Sequence, residues 1–171
     1  DDLITLVRQI ADKELRPRVD EAEAAAARGA ELPRDIFTTL GAAGLLSLPY
    51  AEEFGGGAQP YETYLQVVEE IGSAWMSVAV GTSVHSLTCY PVAAYGSPEQ
   101  QAELLPAMLS GETLGAYCLS EPLAGSDIAS MTTRAVGDGT AYVLNGTKSW
   151  ISHAGHANFY TTFARTSDDG G

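Results

Sequence analysis

Two short stretches carry residue types that chemistry could use. The first, Tyr117 to Asp127, reads Tyr-Cys-Leu-Ser-Glu-Pro-Leu-Ala-Gly-Ser-Asp. A strand predicted over Thr113 to Leu119 stops at Glu121-Pro122, because proline removes an amide and restricts the residue before it. Gly125 lets backbone amides approach a ligand closely, so the turn Ala124-Gly125-Ser126, closed by Asp127, suits an anion. An ordinary strand exit uses the same residue types. The second stretch, Trp150-Ile151-Ser152, ends a strand predicted over Ser149 to Ser152. There a tryptophan offers an aromatic face and a serine offers a hydroxyl to a flat heteroaromatic ring. The alternative is a core tryptophan followed by a turn serine.

Other chemistries lack their residues. Gly-x-Gly-x-x-Gly, the P-loop and the Gly-x-Ser-x-Gly elbow are all missing from the sequence, which excludes doubly wound dinucleotide binding and an elbow nucleophile. His85, His153 and His156 show no metal-ligand spacing. His85, in an apolar helical stretch, reads as a satisfied core histidine. His153 and His156 flank Ala154-Gly155 and read as surface loop residues. Cys89 and Cys118 are far apart without a C-x-x-C, as expected of buried thiols in a reducing compartment. No metal site is expected.

The elements that must position these residues follow from periodicity. The first 28 residues step by three and four and end before Gly29, predicting a long amphipathic helix kinked near Leu15 by Pro17. A second helix is expected from Leu32-Pro33, with Ile36, Phe37 and Leu40 on one face. After the glycine-rich connector Ser47 to Gly57, a third runs from Pro60 to Ile71, burying Tyr64, Val67, Val68 and Ile71. A fourth, apolar on most sides, covers Met76 to Cys89 and ends at Pro91. Ser97-Pro98 caps a fifth, through Leu104, Leu105 and Met108 to Gly111. Beyond that the pattern alternates, predicting strands over Thr113–Leu119, Met131–Val136, Ala141–Leu144, Ser149–Ser152 and Phe159–Arg165. Gly137-Asp138-Gly139 and Asn145-Gly146 supply turns. The fold class is α+β: an all-α domain over 1–112, then an antiparallel β domain over 113–171 that ends on a polar turn without a return strand. The expectation is a chain that continues beyond Gly171, or is completed by another.

The net charge is −13, and six of the nine basic residues lie in the first 34 positions. Such a surface argues against nucleic acid or anionic lipid as a partner. The longest apolar stretch is too short for a bilayer, so there is no membrane insertion, and the reading is cytoplasmic.

Taken together, the two motifs identify more. Tyr117-Cys-Leu-Ser-Glu-Pro-x-Ala-Gly-Ser-Asp127, followed after a hairpin by Leu144-Asn-Gly-Thr-Lys-Ser-Trp-Ile-Ser152, resembles the acyl-CoA dehydrogenase family. So do Leu45-Leu-Ser-Leu-Pro49 with Glu53-Phe-Gly-Gly56, and Ala157-Asn-Phe-Tyr160. The resemblance implies an N-terminal helical domain, a central β domain and a C-terminal helical bundle, the last absent from this sequence. It implies FAD as cofactor, with Tyr117, Leu119 and Ser120 at the flavin ring, the latter two at its pyrimidine edge. Gly125 and Ser126 would lie near the pyrophosphate, and Ser126 would also reach the pantetheine arm of an acyl-CoA substrate. Trp150 would cover one flavin face, with Ile151 beside it and the Ser152 hydroxyl near N5. The implied reaction is α,β-dehydrogenation of an acyl-CoA thioester with hydride transfer to N5. The family's catalytic glutamate falls beyond Gly171, so no catalytic residue is assigned, and Glu121 is read as structural. The implied partners are an acceptor such as an electron-transfer flavoprotein and further copies of the chain in a homodimer or homotetramer. Relatives acting as flavin oxidases or monooxygenases, and a non-catalytic subunit of a heteromeric dehydrogenase, are the alternatives. Ser120 and Ser152 stand where many members have threonine, and His153 where asparagine is often found.

Overall fold

The computed structural model describes residues 2–30 and 33–167. Helix α1 (Asp2–Ile10) runs into a π-helical turn at Ala11–Leu15 and a 3-10 turn at Arg16–Arg18 before α2 (Val19–Ala26) resumes. Pro17 offers no N–H to the helical ladder, so the winding changes across it, at the kink the sequence predicts. Leu32, expected to open the second helix, lies outside the described residues, and α3 covers Asp35–Ala42. The connector holds one 3-10 turn, Glu52–Phe54. Helix α4 (Tyr61–Ala74) buries Tyr64, Val67 and Ile71, and Val68 packs half-buried against them.

One helical expectation is corrected. Helix α5 extends from Met76 to Tyr95, with Pro91 inside it rather than at its end. A proline costs a helix one hydrogen bond and a local clash, and packing of Val78, Cys89 and Val92 into the core outweighs that cost here. Over Met76 to Cys89 the helix is buried on most sides, as expected, with Met76, Val80 and Leu87 exposed along one stripe that Tyr90 continues. Helix α6 (Pro98–Leu109) begins at a complete capping box: the Ser97 hydroxyl accepts from Gln100 N at 3.3 Å, and Gln100 Oε1 accepts from Ser97 N at 2.8 Å.

One core joins α1, α3 and α4 through Val7, Leu15, Leu40, Tyr64 and Ile71, and a second joins Tyr50, Cys89, Leu105 and Met108. Strand β1 (Gly115–Cys118) lies against α5 and pairs in parallel with β4 (Phe159–Thr162), Tyr117 opposite Thr161. The pairing is parallel because the chain between them crosses back over the end of β1 rather than turning directly. Strands β2 (Arg134–Gly137) and β3 (Tyr142–Asn145) form the antiparallel hairpin the sequence predicts. Its turn is held by Asp138, whose Oδ1 accepts from the amides of Thr140 and Ala141. The expected strand over Ser149–Ser152 is not formed, and Asn145-Gly146 therefore turns no hairpin. Residues 168–171 of the expected final turn lie outside the described residues.

Candidate functional site

The exit of β1 and the segment before Trp150 are bonded to each other. Ser120 O accepts from Ser149 N at 2.9 Å, and Leu119 O accepts from Lys148 Nζ at 3.0 Å. Bonds between residues 29 positions apart in sequence therefore join the two motifs. Tyr117, half-buried on β1, sets its ring edge-on to Phe163 with centroids 5.1 Å apart. Past Ser120 the chain makes a tight turn in which Glu121 N donates to Ala124 O at 2.9 Å and Ala124 N to Glu121 O at 3.2 Å. Pro122 presets that turn, and Leu123 at its tip is 90% exposed.

The Glu121 carboxylate is buried and saturated. Oε2 accepts from Thr132 N at 2.6 Å and from the Thr132 hydroxyl at 2.8 Å, while Oε1 accepts from Thr133 N and Lys148 Nζ, both at 2.9 Å. Burial alone would raise its pKa, but the donors at Thr133, Thr132 and Lys148 outweigh burial and hold it well below the usual carboxylate range. A carboxylate this fully engaged is a brace, as the sequence reading has it, and not a base. Lys148 binds both the brace and the β1 exit, a role the sequence reading missed. The available signal was its isolation, since it is one of three basic residues beyond Arg34.

Trp150 is 94% exposed, so it is not a core anchor. Its φ of +60° is left-handed, as is that of His153 at +65°. Non-glycine residues adopt this region rarely, and such outliers cluster at ligand sites. These two reversals, rather than a strand, carry the chain through Trp150-Ile151-Ser152. Among the described residues the hydroxyls of Ser120, Ser126 and Ser152 make no hydrogen bond, and the amides of Gly125 and Ser126 donate to nothing. A Cβ built at Gly125 would meet open space. The surface thus combines a bare aromatic face, two polar turns with spare donors and no basic side chain at the second turn. It fits a flat, hydrogen-bonding ring carrying an anionic tail.

His153 is corrected from a surface loop residue to a half-buried one. Its Nδ1 lies 2.9 Å from Gly115 O, and its ring meets Phe37 edge-on at 5.1 Å. Burial lowers its pKa from the ordinary value. His156 remains exposed, and its carbonyl accepts from Arg34 at 3.0 Å. His85 is the satisfied core histidine expected: Nε2 lies 2.8 Å from Met108 O, Nδ1 accepts from Gly115 N at 3.0 Å, and burial pushes its pKa down to about 4.

A separate apolar cleft of about 510 Å³ lies between Tyr50, Phe54 and the α5 residues Leu87 and Tyr90. None of the eight residues expected at the flavin lines it.

Comparisons with known proteins identify the family of the chain. The family description "Acyl-CoA dehydrogenase, N-terminal domain" matches residues 1–112, and "Acyl-CoA dehydrogenase, middle domain" matches residues 116–171. An acyl-CoA dehydrogenase of Bacillus subtilis is 35% identical over 167 residues, covering 97% of this chain and 43% of the relative. The crystal structure of a glutaryl-CoA dehydrogenase from Mycobacterium smegmatis in complex with FADH2 superposes with a TM-score of 0.90 at 32% identity, over 98% of this chain and 42% of that one. A chain in the structure of the electron transferring flavoprotein of Acidaminococcus fermentans gives a TM-score of 0.89 at 30% identity, over 96% and 43%. The chain spans less than half the length of these relatives. With both descriptions matched in order along its length, the chain belongs to the acyl-CoA dehydrogenase family.

Proposed function

We propose that these residues form the flavin-facing wall of a FAD-dependent acyl-CoA dehydrogenase. The observation that carries the reading is Trp150: a tryptophan almost fully exposed on a left-handed backbone, joined through Ser149 to the exit of β1. An exposed indole exacts a hydrophobic cost unless something covers it. FAD, when bound, supplies the hydride acceptor for α,β-dehydrogenation of an acyl-CoA thioester.

The chain's own residues would bind and orient. Trp150 covers one face of the ring, with Ile151 beside it, and the Ser152 hydroxyl is offered to N5, where a donor stabilises arriving electron density. Tyr117 borders the ring, and Leu119 and Ser120 meet its pyrimidine edge. The free amides of Gly125 and Ser126 serve the pyrophosphate, and the Ser126 hydroxyl also serves the pantetheine arm. Backbone amides suit this task in a region so poor in cations. Glu121 is excluded as the base by its saturation, and the α-proton goes to a glutamate outside these residues. The two units meet near residue 112, where helical periodicity gives way to alternation. A cytoplasmic homodimer or homotetramer that passes electrons to an electron-transfer flavoprotein completes the reading.

The test is anaerobic titration of the full-length, FAD-loaded protein with acyl-CoAs of several lengths and branchings. Bleaching of the visible flavin band by at least one is expected. No bleaching with any of them overturns the reading, and rapid reoxidation by oxygen with product bound would favour an oxidase.

A further inference from the structure

One peptide is gripped from both sides. Gly115 opens β1, and its N–H donates to His85 Nδ1 at 3.0 Å while its carbonyl lies 2.9 Å from His153 Nδ1. A carbonyl only accepts, so the His153 nitrogen facing it must carry the proton. On His85, Nε2 faces Met108 O at 2.8 Å and Nδ1 faces an N–H, so its proton sits on Nε2. The two neutral imidazoles therefore hold opposite tautomers. Gly115 has no room for a side chain here, since a Cβ would lie 2.6 Å from the Thr88 methyl.

The His153 ring is half-buried, one part of it lining a small cleft with Arg34 and Leu114. Its edge contact is Phe37 of α3, and a Cβ at Gly81 of α5 would lie 2.8 Å from Nε2. Nε2 is buried and makes no hydrogen bond among the described residues, a condition a neutral imidazole with its proton on Nδ1 can tolerate and an imidazolium cannot. The residue that precedes this anchored ring is Ser152, two positions after the exposed Trp150. The turn holding both is tied down before Trp150 by Ser149 N donating to Ser120 O at 2.9 Å and after it by His153, and its left-handed backbone at His153 must be enforced by tertiary packing.

We propose that His153 is a positioning residue for the flavin site: its Nδ1–H bond to Gly115 O pins the turn that presents Trp150 and Ser152. The proposal rests on the flavin reading above. His153 touches neither ring nor substrate in this role. It ties the presenting turn to the first residue of β1, the strand that carries Tyr117 and leads to Ser120, so both halves of the wall move as one body. His85 fixes the same glycine to α5 and α6 from the opposite side.

The experiment uses full-length protein with ¹⁵N-labelled histidine, together with the variants His153→Asn and His153→Leu. The asparagine amide can still donate to Gly115 O, whereas leucine cannot, and both lose the ring contact with Phe37. In the unmodified protein the resonance that disappears in His153→Asn is expected to report a neutral imidazole protonated on Nδ1. His153→Leu is expected to weaken FAD binding roughly tenfold, the scale of one hydrogen bond, and His153→Asn to restore most of it. The two variants should melt within a few degrees of each other, which separates positioning from stability. An Nε2-protonated His153, equal FAD loss in both variants, or wild-type affinity in His153→Leu overturns the proposal. Failure of the unmodified protein to bind FAD instead sinks the flavin reading and the proposal with it.

Discussion

The Gly115 junction and the Trp150 turn lie a few residues apart in space and obey opposite rules. At the junction every polar group of the gripped peptide has a partner, and His85, Leu114 and Ala116 are almost wholly buried. At the turn the indole is bare, the serine hydroxyls have no partner among the described residues, and the backbone is left-handed. Buried polar atoms without partners cost folding energy, whereas exposed ones cost little and remain available to a ligand. The difference teaches where stability is made and where binding is made, and it can be broken from either side.

The largest effect on folding is expected at the brace beneath the turn. Lys148→Met leaves the Glu121 carboxylate buried without its cation, and losing one partner of a buried pair costs about 3–5 kcal/mol. Adding Glu121→Gln should recover a substantial part, because the uncompensated charge is gone. Chemical denaturation of the single and double variants checks this, and a single variant within 1 kcal/mol of wild type, on the order of an exposed pair, would show that the brace is not a stabilising element.

Next in size is pH. His85 titrates near 4 when folded and near 6.5 when unfolded, so below 6.5 the unfolded chain binds the extra proton. Stability is therefore intact above that value and falls as pH drops toward 4, by about 2 kcal/mol at pH 5 from this group alone. The groups facing the ring are Met108 O, Gly115 N, the Cys89 thiol at 3.6 Å and, more distantly, His153, none of which is an anion that could hold the protonated form. Melting temperatures of wild type and His85→Gln between pH 7 and 5 check it: the variant should show a shallower decline.

The smallest folding effect is expected at the turn itself. Trp150→Ala removes a side chain that buries almost nothing, so stability of the flavin-free protein should change by no more than about 0.5 kcal/mol. Flavin binding in the same variant should fall by more than any other single change in the wall. Denaturation without FAD and titration with it check the two halves, and a large loss of stability would erase the distinction between the regions.

Much of the fold was legible. The Ser97 cap, the Pro17 kink and the Gly137-Asp138-Gly139 turn depend on side chains acting within four residues, and each appears where expected. Misreadings came where distant packing decided. Pro91 resembles a stop until the burial of Val92 and Cys89 beside it holds the helix together. Ser149 to Ser152 has strand composition, yet the backbone turns there because Ser149 is bonded to Ser120 and His153 to Gly115.

The same division holds for the site. Residue types at fixed spacing sufficed to single out Gly125, Ser126, Trp150 and Ser152, since the chemistry of a wall depends on which groups it can offer. Tyr117 and Ser120 were nominated by the resemblance of their motif to the family's. The same resemblance implied a structural role for Glu121. Only the tertiary structure decided that Trp150 faces outward rather than inward, that Lys148 links the two motifs, and that His153 is an anchor. Those outcomes depend on hydrogen bonds between residues 27 to 38 positions apart, and no local propensity records such a partner.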